Sequence, residues 1–382
     1  MTPDCDVLVV GAGIHGAGVA QAAAAAGYSV IVVERTAPAA GTSSRSSKLI
    51  HGGLRYLETA QIGLVYESLA ERRWMLAHAP SLVRLLPMHI PVYDDTRRAP
   101  WLIRAGLSAY ALLGGLHAHE RFHALSRSAW GALDGLDTRR LRSVFRYFEA
   151  QTDDAALTRA VLASAQALGA TVRMPAEVVG ASPCADGVDV EVDEHGVALT
   201  LRARAVVNAA GPWAASVAAH LHPAHAPPAV ELVQGTHLEF DGVPAHGAYY
   251  VEAPADGRAV FVMQYRGRTL VGTTERAFAG DPARVAPTAD ERDYLRATYR
   301  RYFPAAAHTP VAEWAGLRVL PAAAGAAFGR PRETQFDAYG RVVSIYGGKL
   351  TTWRRTAADA LRLCRGSLPS PPRPGDTRAI GL

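Results

Sequence analysis

Lysine is nearly absent from this 382-residue sequence: only Lys48 and Lys349 stand among 40 basic residues, the rest being arginine. An ammonium is a compact point charge whose pKa burial can lower, whereas a guanidinium is a wide, permanently charged fork. The two lysines are therefore candidates for work that a guanidinium cannot do, against the reading that arginine-rich coding left two surface lysines behind. Cysteine is scarce as well. Cys5, Cys184 and Cys364 lie far apart without Cys-x-x-Cys spacing, which argues against a disulfide framework or a metal site and makes a reducing cytoplasm the expected compartment. No apolar run spans a bilayer; the longest, residues 100–116, is too short and contains Arg104. The amino terminus lacks a basic start with an apolar signal core, because the run at 7–10 leads straight into glycines. A net charge of +5 suits an anionic substrate or membrane surface, and no block of basic residues marks nucleic acid.

What is present points to a soluble enzyme of one large or two interleaved domains, 49% apolar and 20% charged. The valine-rich run 6–10 predicts a strand, Gly11-Ala-Gly13-Ile14-His15-Gly16 a tight turn, and the alanines to residue 26 a helix; residues 28–33 form a second strand ending at Glu34. In a dinucleotide fingerprint the first glycine permits the turn, the second lets a pyrophosphate approach and the third lets helix and strand pack. The helix start then faces the pyrophosphate, and Glu34 suits an adenosine ribose.

Directly after comes the densest stretch of the chain, Thr42-Ser43-Ser-Arg45-Ser46-Ser47-Lys48-Leu49-Ile-His51-Gly52-Gly53-Leu-Arg55-Tyr56-Leu-Glu58. Its position beside the fingerprint predicts that it meets whatever reactive ring the dinucleotide carries. Helices are expected at 62–79, 153–169 (capped by Thr152 or Asp153) and 354–365, and strands at 85–93 and 171–179. Residues 188–192 and 197–201 read as a hairpin, and 205–208 as a buried strand running into Gly211 and Trp213. Runs at 231–240, 259–264 and 269–274 suggest a second, antiparallel sheet. Residues 342–346 with Gly347 and Gly348 repeat the strand, glycine turn and helix start, aiming amides at an electron-rich ring edge. For 100–116 two readings stand, a buried helix or one lying in a membrane interface. The proline-rich 367–382 is expected to be disordered.

These blocks, with Asn208-Ala-Ala210-Gly-Pro-Trp213, Val271-Gly-Thr-Thr274, Gly316-Leu-Arg318 and Tyr346-Gly-Gly-Lys349-Leu350-Thr351-Thr352, resemble the FAD-dependent glycerol-3-phosphate dehydrogenases and oxidases of the D-amino-acid-oxidase-like flavoprotein superfamily. The resemblance covers nearly the whole chain and implies an α/β fold: a Rossmann-like FAD-binding domain (1–80, 150–215, 315–366), an interleaved antiparallel-sheet substrate or cap domain (81–149, 216–314) and a proline-rich tail. It implies oxidation of sn-glycerol 3-phosphate to dihydroxyacetone phosphate by hydride transfer to flavin N5. His237 would be the base and Arg318 would stabilise developing charge. Arg55, Arg332 and Lys349 would grip the phosphate beside Tyr56, with a place by the flavin open to Lys349 as well. FAD would contact Gly11, Gly13, Ile14, His15, Gly16, Glu34, Arg35, Thr42, Ser43, Ser46, Ser47, Leu49, His51, Gly52, Gly53, Val178, Ala210, Gly211, Trp213, Arg318, Gly348, Lys349, Leu350 and Thr351.

Departures accompany the resemblance. His15 stands where the family usually has asparagine, Glu275 where it has aspartate, and Gln234 where it commonly has a basic residue. The tail begins where these enzymes usually add a helical C-terminal domain, so a partner subunit or homo-oligomeric contact is expected in its place. Other readings remain: another phosphorylated alcohol, an amino acid or 2-hydroxy acid as substrate, a tailoring oxidase in a specialised pathway, or a flavin-binding module without turnover. The implied acceptor is quinone or oxygen, with peripheral contact at the inner membrane face and no nucleic-acid partner.

Overall fold

A computed structural model describes residues 2–222, 225–322, 334–373 and 375–382. Among them the chain builds two sheets. The first runs Gln335–Tyr339 (β17), Val342–Tyr346 (β18), Val197–Asn208 (β10), Cys5–Val10 (β1), Val30–Val33 (β2) and Thr171–Arg173 (β7), with Ala176–Cys184 (β8) and Gly187–Glu194 (β9) joined to β10 through β9. From β18 to β7 its neighbours are parallel. Central parallel strands are covered on both faces and so read as unbroken apolar runs, which is why β1 and β2 are almost wholly buried valine, leucine and isoleucine.

The second sheet runs Arg276–Phe278 (β15), Val230–Phe240 (β11), Arg268–Gly272 (β14), Ala259–Tyr265 (β13), Ala248–Glu252 (β12), Val83–Tyr93 (β4), Leu141–Thr152 (β6) and Leu49–Ile50 (β3). Pro310–Pro321 (β16) lies on β11, and His123–Ala124 (β5) on β6. It is antiparallel except where β12 meets β4. The segments 150–152 and 315–321, assigned from sequence to the cofactor unit, belong to strands of this second sheet.

Helix α1 (Ile14–Ala25) lies against the first sheet, where its alanines share a core with Trp353 and Ala357 of α7 (Trp353–Cys364) and with Leu157 and Val161 of α4 (Asp154–Ala167). A Cβ on Gly16 would stand 1.8 Å from the carbonyl oxygen of Gly11, so the helix can lie this close only with glycine there. Asp153, not Thr152, caps α4, accepting from Ala156 N at 2.9 Å. The expected 171–179 strand is instead two strands, β7 and β8, parted at Met174-Pro175. The remaining helices are α2 (Ile62–His78), α3 (Pro100–Leu113), α5 (Ala214–Leu221) and α6 (Ala289–Tyr302).

The tail departs from expectation. Tyr28 Oη donates to Pro369 O at 2.9 Å, Arg373 N to Ala26 O at 3.1 Å, Trp74 Nε1 to Arg378 O at 2.9 Å and Leu382 N to His78 O at 2.8 Å. Leu368 and Leu382 pack on the α1 core. Proline lowers what the unfolded tail loses on ordering, and the domain offers it apolar surface and hydrogen-bond partners, so composition alone misread it as disordered.

Helix α3 has two faces. Ile103, Leu107, Tyr110 and Ala111 are buried, while Trp101 and Leu112 are 71% and 67% exposed. Thus the buried-helix reading holds for one face only, and the other face is apolar and open. No helix among the described residues is long and apolar enough to cross a membrane.

Candidate functional site

One cavity of about 680 Å³ takes in nearly all the residues singled out from sequence. At one end lie the first turn (Gly11, Gly13, Ile14, His15), the end of β2 (Glu34, Arg35), Val178, Ala210, Gly211 and Trp213. Glu34 accepts from Ala12 N at 2.7 Å and Thr36 N at 2.8 Å, which fixes its carboxylate beside the turn. Arg35 lies 4.9 Å over the Trp213 ring. Helix α1 starts at Gly13 without a side-chain cap, and Ile14 N donates to Ser43 Oγ at 2.9 Å.

The 42–58 segment forms the middle wall. Thr42 Oγ1 donates to Leu317 O at 2.7 Å and Arg45 Nη1 to Ala315 O at 3.2 Å, stitching it to β16. Lys48 does not reach the cavity. Its Nζ is buried against Asp154, 2.8 and 3.0 Å from the two carboxylate oxygens, and 2.6 Å from Ser44 O. Ser46 N also donates to Asp154, at 2.9 Å, and Ser46 Oγ accepts from Lys48 N. Of the two rare lysines this one locks the segment in place.

Lys349 faces the cavity, its Nζ 3.8 Å over the ring of buried Tyr56, and Arg55 lies 5.2 Å from the same ring. Gly53, Leu49, His51, Gly348, Leu350 and Thr351 also line the cavity, and a Cβ on Gly348 would stand 2.4 Å from His15 Cε1. His51 N donates to Thr351 Oγ1 at 3.3 Å. Burial lowers the His15 pKa from 6.5 to about 4, so this ring is neutral at physiological pH.

His237 projects from β11 with Nε2 2.9 Å from Ser47 Oγ and its ring stacked on Trp314 at 5.4 Å. Its Nδ1 has no hydrogen-bond partner among the described residues. Burial, then the positive charges of Arg318 and Lys48, push its pKa well below the usual histidine value. On the neighbouring strand β16, Arg318 donates from Nη2 to Thr273 Oγ1 at 3.1 Å and from Nη1 to Thr274 O at 3.4 Å, and meets Glu275 Oε1 at 3.5 Å. The arrangement joins a neutral imidazole, a serine hydroxyl and several cations in one apolar-walled space, which suits removing a proton from a bound anion.

Two expected contacts are not in the cavity wall. Gly16 turns to Gly11, serving the helix packing described above. Gly52 N donates to Tyr110 Oη at 2.9 Å and to Glu149 Oε2 at 3.4 Å, and a Cβ would stand 2.4 Å from the Tyr110 oxygen. Arg332 lies outside the described residues. Sequence reasoning missed Arg258 and Glu149, both in the wall. Arg258 Nη1 donates to Glu275 O at 3.1 Å from a turn with no local signal. Glu149 accepts from Tyr110 Oη at 2.5 Å, and burial raises its pKa against the opposing pull of Arg72; it sits on β6, a strand the sequence reading did not find.

Residues 6–352 match the family model described as FAD dependent oxidoreductase. The chain is 37% identical over 366 residues to a glycerol-3-phosphate dehydrogenase of Pseudomonas aeruginosa, a match covering 93% of this chain and 70% of that protein. It is 35% identical over 367 residues to a D-erythritol 1-phosphate dehydrogenase of Brucella abortus, covering 92% and 72%. Among solved structures it resembles the glycerol-3-phosphate dehydrogenase of Bacillus halodurans complexed with FAD, with TM-score 0.78 and 28% identity over 99% of this chain and 67% of that one.

Proposed function

The chain belongs to the family of FAD-dependent oxidoreductases, and on that footing we propose that it oxidises the secondary hydroxyl of a phosphorylated polyol, sn-glycerol 3-phosphate to dihydroxyacetone phosphate. The residues present fit FAD. A Cβ on Gly11 would stand 2.9 Å from Ala209 O, so the turn is a backbone cradle at a helix N-terminus whose first amide, Ile14 N, is held by Ser43 Oγ, and the backbone amides of such a terminus suit a pyrophosphate. Glu34, Arg35 and Trp213 would hold the adenosine end, and Thr42, Ser43, Ser46, Leu49, His51, Gly53 and Gly348 to Thr351 the flavin end. When bound, FAD accepts the hydride from the substrate carbon.

The observation that carries the substrate reading is that Arg55, Lys349 and Arg318 share one cavity with the His237–Ser47 pair. Arg55 and Lys349, both close to the Tyr56 ring, bind the phosphate, and Arg332 is assigned with them from sequence. Guanidinium forks supply directional hydrogen bonds and the ammonium a point charge. His237 takes the hydroxyl proton at Nε2, where the substrate hydroxyl would take the place of the Ser47 hydroxyl. Its neutral form at physiological pH is the form a base requires. Arg318, anchored by Thr273, Thr274 and Glu275, steadies the charge left on the substrate oxygen.

The Brucella relative favours one alternative, a longer phosphorylated polyol. Anaerobic bleaching of the flavin band by sn-glycerol 3-phosphate and by D-erythritol 1-phosphate, side by side, tests both; reduction by neither sinks the reading. For electron transfer we place the open face of α3 against an anionic lipid surface, Trp101, Leu102 and Leu112 entering it beside Arg97 and Arg104, with a quinone as acceptor and oxygen as the alternative. Peroxide produced in step with substrate would select oxygen.

A further inference from the structure

Behind the wall that carries Arg318 lies a buried carboxylate that the roles above do not use. Glu291 is 5% exposed and stands in the first turn of α6, where Thr288 and Glu291 form a reciprocal capping box. Such a box occupies its glutamate with the cap residue, and here Thr288 N and Oγ1 do donate to Oε2, at 3.1 and 3.0 Å. The same carboxylate also takes two hydrogen bonds that capping does not call for. Gln234 Nε2 donates to Oε2 and Thr274 Oγ1 to Oε1, both at 2.5 Å.

Those two partners lead to the reacting groups. Thr274 Oγ1 accepts from Thr236 N at 2.8 Å, and Thr236 is next to His237. Thr274 O accepts from Arg318 Nη1. Gln234 and Thr236 flank Gly235, where a Cβ would stand 2.8 Å from Arg318 Nη2 and 2.5 Å from Thr273 Oγ1. The guanidinium therefore lies tight against a stretch of β11 and a turn after β14, both tied to one carboxylate. Without that carboxylate, buried Gln234 and Thr274 lose acceptors and the stretch they hold is free to rearrange.

We propose that Glu291 is a positioning residue for the reaction, holding Arg318 through Thr274 and His237 through Thr236. The proposal rests on the oxidation proposed above and extends it to the N-terminus of a helix outside the cavity. A displacement of about 1 Å at a reacting group can lower a rate roughly 100-fold, so the effect belongs on the chemical step and not on cofactor retention.

The test is anaerobic stopped-flow reduction of the FAD-loaded protein by sn-glycerol 3-phosphate, comparing wild type with Glu291→Ala, Thr274→Val and Thr274→Ser. Expected are unchanged FAD content, an apparent substrate affinity within about threefold, and a limiting reduction rate about 10- to 100-fold lower in Glu291→Ala and Thr274→Val. Thr274→Ser, which keeps the hydroxyl, should restore the wild-type rate. Limiting rates within about threefold of wild type in the first two variants, or a Thr274→Ser as slow as Thr274→Val, would overturn the proposal. If Glu291→Ala does not fold, the two Thr274 variants decide. If wild type is not reduced by this substrate, the proposed reaction fails, and a crystal structure of Thr274→Val decides the positioning claim separately. An Arg318 guanidinium displaced from Thr273 supports it, and one left in place overturns it.

Discussion

Replacing Lys48 by methionine removes a charge from a place where its partner cannot follow it into water. The ammonium and the Asp154 carboxylate are 2.8 Å apart, with side-chain exposures of 4% and 0%. Asp154 keeps the backbone donors Ser46 N at 2.9 Å and Ala155 N at 2.8 Å, while Ser44 O loses its partner. Stranding a buried charge in this way costs about 3–5 kcal/mol. Removing both charges, as in Lys48→Met with Asp154→Leu, leaves instead two amides and a carbonyl short of partners; all three are part-buried, so each belongs at the low end of about 1–3 kcal/mol. The double variant should therefore be more stable than Lys48→Met alone. Urea unfolding followed by tryptophan fluorescence, with slopes compared so that only midpoints are interpreted, measures both. A Lys48→Met loss below about 1 kcal/mol, or a double variant less stable than the single, would refute the placement of Lys48 as the lock on the 42–58 segment.

Further outcomes follow from the same contacts. His237→Gln should retain FAD yet be reduced by substrate about 100- to 10,000-fold more slowly; unchanged single-turnover reduction rejects His237 as base. His89 is 2% exposed, and burial lowers its pKa from 6.5 to about 4. The unfolded chain takes up this proton below pH 6.5 while the fold refuses it until about pH 4. Stability from this group is therefore present above pH 6.5 and lost as pH falls toward 4, by roughly 3 kcal/mol; His89→Phe should flatten that slope in urea unfolding across pH 7 to 4, and an unaltered slope contradicts the assignment. Exchanging Trp101 and Leu112 for serine should abolish co-sedimentation with anionic vesicles without changing the rate of flavin reduction, and equal sedimentation would remove α3 from the membrane reading.

What could be read from sequence divides along physical lines. The turn from Gly11 to Gly16 was legible because backbone approach there needs glycine, and that need leaves a spacing in the chain. The lysine scarcity drew attention to two positions, but rarity carries no information on partners: Asp154, 106 residues away in sequence, decides that Lys48 is a lock, whereas Lys349 opens into the cavity. The strand β6 was missed because Arg146 and Glu149 interrupt its apolar run, and Glu149 is tolerated there by the tertiary partners Tyr110 and Arg72. Gly52 falls outside the cavity wall although its neighbours in sequence line it, because a side chain at this position would meet Tyr110. Arg258 and Glu291 gain their meaning only from contacts across elements, with Glu275 and with Gln234 and Thr274, which no local pattern encodes.

The most direct single measurement is the visible spectrum of the anaerobic, FAD-loaded protein before and after addition of sn-glycerol 3-phosphate. Rapid loss of the oxidised-flavin band, with dihydroxyacetone phosphate formed in equal amount, is the expected result. A band that stays unbleached by this substrate and by D-erythritol 1-phosphate alike would contradict the proposed reaction.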